Sequence, residues 1–317
     1  MLRLIGQRLL QSVLVLLAMS LIIYALLGFM PGDPIDLMLN ADPEMTAADA
    51  ARLKALQGLD QPLLTRWWYW LSAALGGDFG YSRLYAQPIA VVLLPALGNT
   101  LLLLGASLLL ALVVALLAAL WAALKPHSLR DYLINALALA GISAPPFWLA
   151  LMLISLFAVT LGWLPAGGRP APAAGWSAFM RHLTLPMLTL AIAALGGYIR
   201  YLRGALLDVL HQDYIRTARA KGAGTGYILR RHALRNALLP LVTVLALDFG
   251  ALFSGALIVE TVYAWPGMGR LIYDSIMGND YNLALAALLL ATAVTLAGNL
   301  LADLLYGWLD PRIRYRQ

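Results

Sequence analysis

The sequence predicts an all-α, polytopic membrane protein with about six transmembrane helices. The chain of 317 residues is 62% hydrophobic and only 12% charged, and its mean hydropathy is +0.78. A soluble domain sits nearer half apolar and a quarter charged. Six segments each supply the roughly 20 mainly apolar residues that a bilayer span requires. The absence of cysteine excludes a disulfide framework, a thiolate metal site and a thiol nucleophile. The net charge of +6 is read as a record of which loops face the cytoplasm rather than as a nucleic-acid footprint.

The spans are expected at 9–30, 97–124, 133–161, 183–202, 237–259 and 282–306, within a single transmembrane domain, 1–317. The first follows Arg3 and Arg8 as a signal peptide would. It is too long for one, however, and runs into Gly28-Phe29-Met30-Pro31-Gly32-Asp33-Pro34 with no small-x-small cleavage site, so it reads as an uncleaved span. A long external loop, 31–95, follows. Within it Thr46-Ala-Ala-Asp49 reads as a capping box, with Leu53 and Leu56 on one face and Gly58 past the end. A second amphipathic stretch sets Leu63, Leu64, Trp67, Trp68 and Leu71 on one stripe. Its aromatic run 67–70 suits a helix in the outer headgroup region; stacking on a ligand is the alternative.

Lys and Arg fix the orientation. Arg3 and Arg8, Lys125 and Arg130, the set from Arg200 to Arg235, and Arg312, Arg314 and Arg316 all fall on one side, expected to be cytoplasmic. The opposite loops are acidic or sparse, with Asp33 to Asp78 in the first and Glu260, Asp274 and Asp280 in the last. Both termini are therefore expected inside.

The densest basic stretch lies in the cytoplasmic loop 204–236, where the run from Asp213 to Pro240 carries six Lys or Arg residues. Gly222, Gly224 and Gly226 do not make a phosphate cradle: no strand precedes them and no Lys-Ser/Thr follows. They read as a helix stop and sharp turn between two helices. Ala218 and Ala220 let a partner approach the backbone, while Arg216, Arg219, Lys221, Arg230 and Arg231 offer donors matched to carboxylate or phosphate. A groove on a cytosolic protein and an anionic lipid surface both fit such a helix. The alanines and glycines favour docking.

Polar residues within spans point to a solute path. Asp248 lies midway along the fifth span, where a carboxylate costs about 2.5–3.5 kcal/mol on insertion scales. It either faces the path or a partner subunit, attracting a peptide's amino group, or makes an interface hydrogen bond or stays protonated. Asn99, Asn135, Asn299 and Asp303 are further candidates that helix-to-helix hydrogen bonding also explains. His127, His182, His211 and His232 are scattered, no H-E-x-x-H or G-x-S-x-G occurs, and neither a metal site nor an enzyme is expected.

The basic loop resembles the coupling loop of ABC importer permeases, with Arg216-Thr217-Ala218 at the Glu-Ala-Ala positions in register with Gly222. The Glu is absent and Leu239-Pro240 comes late, as in the peptide branch of that family. Further blocks resemble dipeptide and oligopeptide permeases: Met30–Pro34, Gly58–Pro62, Gly77–Ser82, Pro146–Trp148, Leu161–Pro165, Glu260–Gly267 and Leu309–Arg312. The resemblance implies a type I ABC importer permease in a bacterial inner membrane. It implies a second homologous permease, two cytosolic ATPase subunits that hold ATP and Mg, and an extracytoplasmic solute-binding protein. It also implies that this chain binds no cofactor of its own and that Arg216, Thr217, Ala218, Arg219, Ala220, Lys221 and Gly222 dock the ATPase. Nickel chelates or glutathione are alternative solutes. An ion-coupled carrier would need inverted repeats and several intramembrane charges, neither of which is evident; a scaffold without transport is a third class.

Overall fold

The computed structural model describes residues 2–29, 46, 52 and 61–309; within these, the side chains at 2–4, 239–240, 242–243, 246–255, 302 and 305–309 are not described. The capping box at Thr46–Asp49 and the helix after it therefore lie outside the described residues, apart from Thr46 and Arg52. The chain divides into two compact units, Met1–Gly98 with Gly267–Leu296 and Asn99–Pro266 with Ala297–Gln317.

The first unit holds α1 (Leu2–Gly28), α2 (Leu63–Leu75), a hairpin of β1 (Tyr81–Ser82) and β2 (Gln87–Pro88), the start of α3 (Ile89–Ala123), α10 (Met268–Met277) and the first part of α11 (Tyr281–Leu309). Ile23 and Leu27 of α1 pack with Ala284 and Leu285 of α11. The rest of α1 presents Leu9, Leu10, Val13 and Leu14 outward, as a lipid-facing helix must. On α2 the expected stripe is split. Trp67 donates to the Ser20 hydroxyl at 3.0 Å and Leu71 is buried, whereas Leu64 and Trp68 stay exposed. Trp70 takes an inner place beside Tyr24, 6.5 Å between rings.

The antiparallel hairpin, with Tyr81 opposite Pro88, is pinned by a buried carboxylate. Asp280 accepts from the Ser82 hydroxyl at 2.6 Å, the Leu84 amide at 3.0 Å and the Leu283 amide at 3.3 Å. Asp280, in the last of the acidic loops as expected, is a buried cap on the first turn of α11, 3% exposed, which spends its lone pairs on amides and a hydroxyl.

The second unit contains the rest of α3, α4 (Leu129–Ser143), α5 (Pro146–Leu153) with a π-helical continuation over Ile154–Thr160, and α6 (Gly175–Leu210). It continues with α7 (Asp213–Ala220), the single turn α8 (Thr225–Ile228), a second π segment over Leu229–Ala233, and α9 (Leu234–Val262). Its core is built on small residues: Ala111, Ala115, Ala119 and Ala123 form an i,i+4 stripe on α3, and Ala138, Tyr198, Leu202, Leu206, Ala233 and Ala237 complete it. Small side chains let membrane helices approach closely, where packing rather than the hydrophobic effect holds them. Gly196 is the extreme case, since a Cβ there would overlap the Ala138 carbonyl of α4.

Among the described residues, Ile5–Gly28, Ile89–Ala123, Pro172–Leu210 and Tyr281–Leu301 are long and apolar enough to cross a membrane. The expected third span is not straight: Leu129–Ser143 and Pro146–Thr160 meet at 103°. Pro145 and Pro146 cause this, because neither has an N–H to continue the ladder and each forces its predecessor out of the α region. Ala144 accordingly has ψ of 122°. The apolar run 237–259 lies within α9, whose 29 residues extend about 44 Å.

Candidate functional site

The basic segment is a short helix with one buried anchor. Within α7, Ile215 is fully buried and Ala218 half-buried, while Arg216, Thr217, Arg219 and Ala220 are exposed, as are Lys221 and Gly222 just beyond it. The helix ends where a backbone can turn left-handed. Gly222 has φ +83°, its amide donates to the Arg219 carbonyl at 2.9 Å, and the Ala223 amide donates to the Ala218 carbonyl at 3.0 Å. That pair of bonds is the Schellman arrangement, which satisfies two terminal carbonyls and requires a residue without Cβ strain at the turn. Arg216 faces Asp213 at 3.6 Å, a wholly surface pair.

Three aromatic rings brace this helix against the chain that follows. His232 lies 6.2 Å from the Tyr214 ring and 5.8 Å from that of Tyr227, edge-on. Asn236 donates to the Tyr214 hydroxyl at 2.9 Å. His232 is thus an interfacial ring. The helical path restarts at Thr225 and runs through α8, the π segment and α9, while the non-helical turn 221–224 joins it to α7. The contacts of Tyr214 with His232 and Asn236 bridge that turn and couple the basic helix to the chain entering α9. Nearby, α4 is tied to α6 by Asp131, 3% exposed. It accepts two bonds from Arg203, 2.6 Å from Nε and 2.7 Å from Nη2, and further bonds from the His127 amide and the Asn135 side chain.

At the other end of α9 the polar groups are enclosed. Glu260 is fully buried and accepts from the Thr100 hydroxyl at 2.6 Å. The Tyr263 hydroxyl lies 2.9 Å from that of Thr189 and donates to the Ala150 carbonyl at 3.2 Å. The segment before α6 closes over the same turn: the Gly168 amide donates to the Tyr263 carbonyl at 2.7 Å, and a Cβ on Gly167 would overlap that carbonyl oxygen.

Asn99 belongs to this second group. Its side-chain amide donates to the Pro266 carbonyl at 2.8 Å and accepts from Arg169, and its carbonyl accepts from the Trp265 indole at 3.2 Å. Asn299 is exposed on α11. Asp248 lies on α9 with its side chain outside the described residues. The path candidates are thus not gathered into one described site, whereas the seven basic-turn residues are contiguous and mostly exposed. Sequence reasoning placed Glu260 in an external loop. It lies inside α9, which runs three residues past the expected span, and its partner Thr100 is 160 residues away.

Two family models cover most of the chain. One, described as a binding-protein-dependent transport system inner membrane component, matches residues 111–315; its N-terminal companion matches residues 1–91. A protein of Brucella ovis named as a peptide permease is 39% identical over 317 residues, covering 99% of each chain. The oligopeptide transport system permease protein AppB of Bacillus subtilis is 38% identical over 312 residues, 98% of each chain. The glutathione transport system permease protein GsiC of Escherichia coli K12 is 38% identical over 316 residues, all of each chain. A buried small-residue helical core, a polytopic apolar chain and these full-length matches agree: this chain belongs to the family of binding-protein-dependent transport system inner membrane components, the permeases of ABC importers.

Proposed function

We propose that this chain is one of two permease subunits of an ATP-driven importer of di- and oligopeptides. It docks a cytosolic ATPase through Arg216, Thr217, Ala218, Arg219, Ala220, Lys221 and Gly222. The observation that carries the docking reading is an exposed basic helix with one buried anchor, Ile215, tied across the Gly222 turn to the helical run into α9 by the contacts of Tyr214 with His232 and Asn236. ATP and Mg sit on the two ATPase partners. A solute-binding protein delivers cargo from the opposite side, and both termini are cytoplasmic, as the Lys/Arg distribution requires. When the ATPases close, α7 moves with them, and its contacts with His232 and Asn236 carry that movement into α9, which tilts against α6 and opens the path alternately to each side. Asp248, midway along α9, is the proposed attractor for the peptide amino group.

The peptide reading is supported by the names of full-length relatives. Glutathione, itself a tripeptide, is the second reading, because another full-length relative is so named. The test uses the complete importer in vesicles, with Arg216→Glu, Arg219→Glu and Lys221→Glu combined. Insertion should be normal, while copurification of the ATPase and solute-stimulated ATP hydrolysis should be lost. Retained stimulation would remove the docking role, and wild-type vesicles that accumulate glutathione but no other peptide would replace the substrate.

A further inference from the structure

We propose that a cleft between α6 and the first turn of α9 is a binding site for the phosphoethanolamine headgroup of a membrane phospholipid. The cleft has a volume of about 440 Å³ and is lined by Arg200, Tyr201, Gly204, Ala205 and Asp208 along one face of α6 and by Asn236 of α9. It begins where the apolar run 183–202 gives way to charge, the depth at which headgroups lie.

Arg200 and Asp208 are both exposed, and neither has an ionic partner among the described residues. Arg203, between them in sequence but on the other face of α6, is neutralised by Asp131. Arg200 and Asp208 stand eight residues apart, about 12 Å of helical rise, too far to neutralise each other. The two side chains take up part of that rise, and a headgroup carrying phosphate at one end and ammonium at the other bridges the remainder and satisfies both. Arginine donates to phosphate as a fork, and a carboxylate accepts from an ammonium's N–H groups.

The same two residues discriminate among headgroups. Asp208 opposes an entirely anionic headgroup such as phosphoglycerol. A choline headgroup carries the positive charge but no N–H to give, so it leaves the carboxylate without a hydrogen bond. The floor, Gly204 and Ala205, is open: a Cβ at Gly204 would meet nothing within 4 Å. Asn236 at the rim also holds the Tyr214 hydroxyl of α7 at 2.9 Å, which places an occupant one hydrogen bond from the basic helix.

The test uses the assembled importer in phosphatidylcholine nanodiscs doped with phosphatidylethanolamine or phosphatidylglycerol, with retained lipid counted by native mass spectrometry. Wild type should retain phosphatidylethanolamine about tenfold over either competitor, the ratio that one charge-assisted hydrogen bond supplies. Gly204→Leu fills the cleft from an open helical position and should abolish the preference. Asp208→Ala, which removes the acceptor from an exposed position, should abolish the preference over phosphatidylcholine even if the leucine variant fails to assemble. Equal retention of the three lipids by wild type, or an Asp208→Ala protein that still prefers phosphatidylethanolamine over phosphatidylcholine, would overturn the proposal. Displacement of the lipid by millimolar inorganic phosphate would equally overturn it, because the cleft would then be a free-phosphate site.

Discussion

At its Val262 end, α9 runs into a turn whose polar groups are all enclosed: Glu260 against Thr100, Tyr263 against Thr189 and Ala150, and the Tyr263 carbonyl under Gly168. At its Leu234 end it continues into a segment held by Ile215, a few rings and one amide-to-hydroxyl bond, with the rest of α7 facing outward. One helix therefore has an end that resists movement and an end presented to something else. That is what a lever requires, and it separates two kinds of residue: those whose loss is felt in stability and those whose loss is felt only in the presence of a partner.

The enclosed end should give the larger effect on folding. Thr100→Val keeps the shape but removes the hydroxyl that donates to the buried Glu260 carboxylate. Leaving a buried acceptor short of a donor costs about 1–3 kcal/mol. The detergent-purified chain should melt at a lower temperature, while its affinity for the ATPase subunits, measured on the protein that remains folded, stays at the wild-type value. An unchanged melting point would show that Glu260 is wet, and the picture of a fixed end would fail.

The same contrast explains what the sequence discloses. The basic turn is legible because its determinants are local: a glycine at the left-handed position and two backbone bonds within the six residues 218–223. The spans are legible because apolar length is also local. The 103° break at Pro145-Pro146 was written in the proline pair, but the unbroken apolar run around it outweighed the signal. The helical position of Glu260 and the burial of both Glu260 and Asp280 were not legible, because a charge count does not know what a residue will meet. Their partners Thr100 and Ser82 lie 160 and 198 residues away and arrive only on folding. The cleft under Arg200 needs α6 and α9 side by side, which no local pattern announces.

A smaller loss of stability is expected at the turn itself. Gly222→Ala forces a Cβ into φ +83°, a conformation that costs an L-residue about 1–2 kcal/mol, although the space around it is open. Because α7 is held by little more than buried Ile215 and the contacts of Tyr214, that strain should be relieved by local fraying rather than by global unfolding. Hydrogen exchange should speed up over 213–224 and stay at the wild-type rate in α6. Faster exchange throughout α6 would mean that the turn is an integral part of the core and that the two ends of α9 differ less than their contacts suggest.

The smallest effect on folding, and the sharpest separation of the two ends, belongs to Arg216→Ala. Its ion pair with Asp213 is 3.6 Å long between side chains 77% and 95% exposed, and surface pairs of that kind contribute about 0–1 kcal/mol. Nothing else described depends on its guanidinium, so the melting temperature should not move. An arginine kept there for a partner behaves differently. The complex with the ATPase subunits should dissociate faster, more so at low salt where a charged contact counts most, and solute-stimulated hydrolysis should fall with it. If Arg216→Ala lowered the melting point as much as Thr100→Val while the assembled complex survived intact, Arg216 would be part of the scaffold. The presented end of α9 would then have to be sought at Arg230 and Arg231 on the π segment instead.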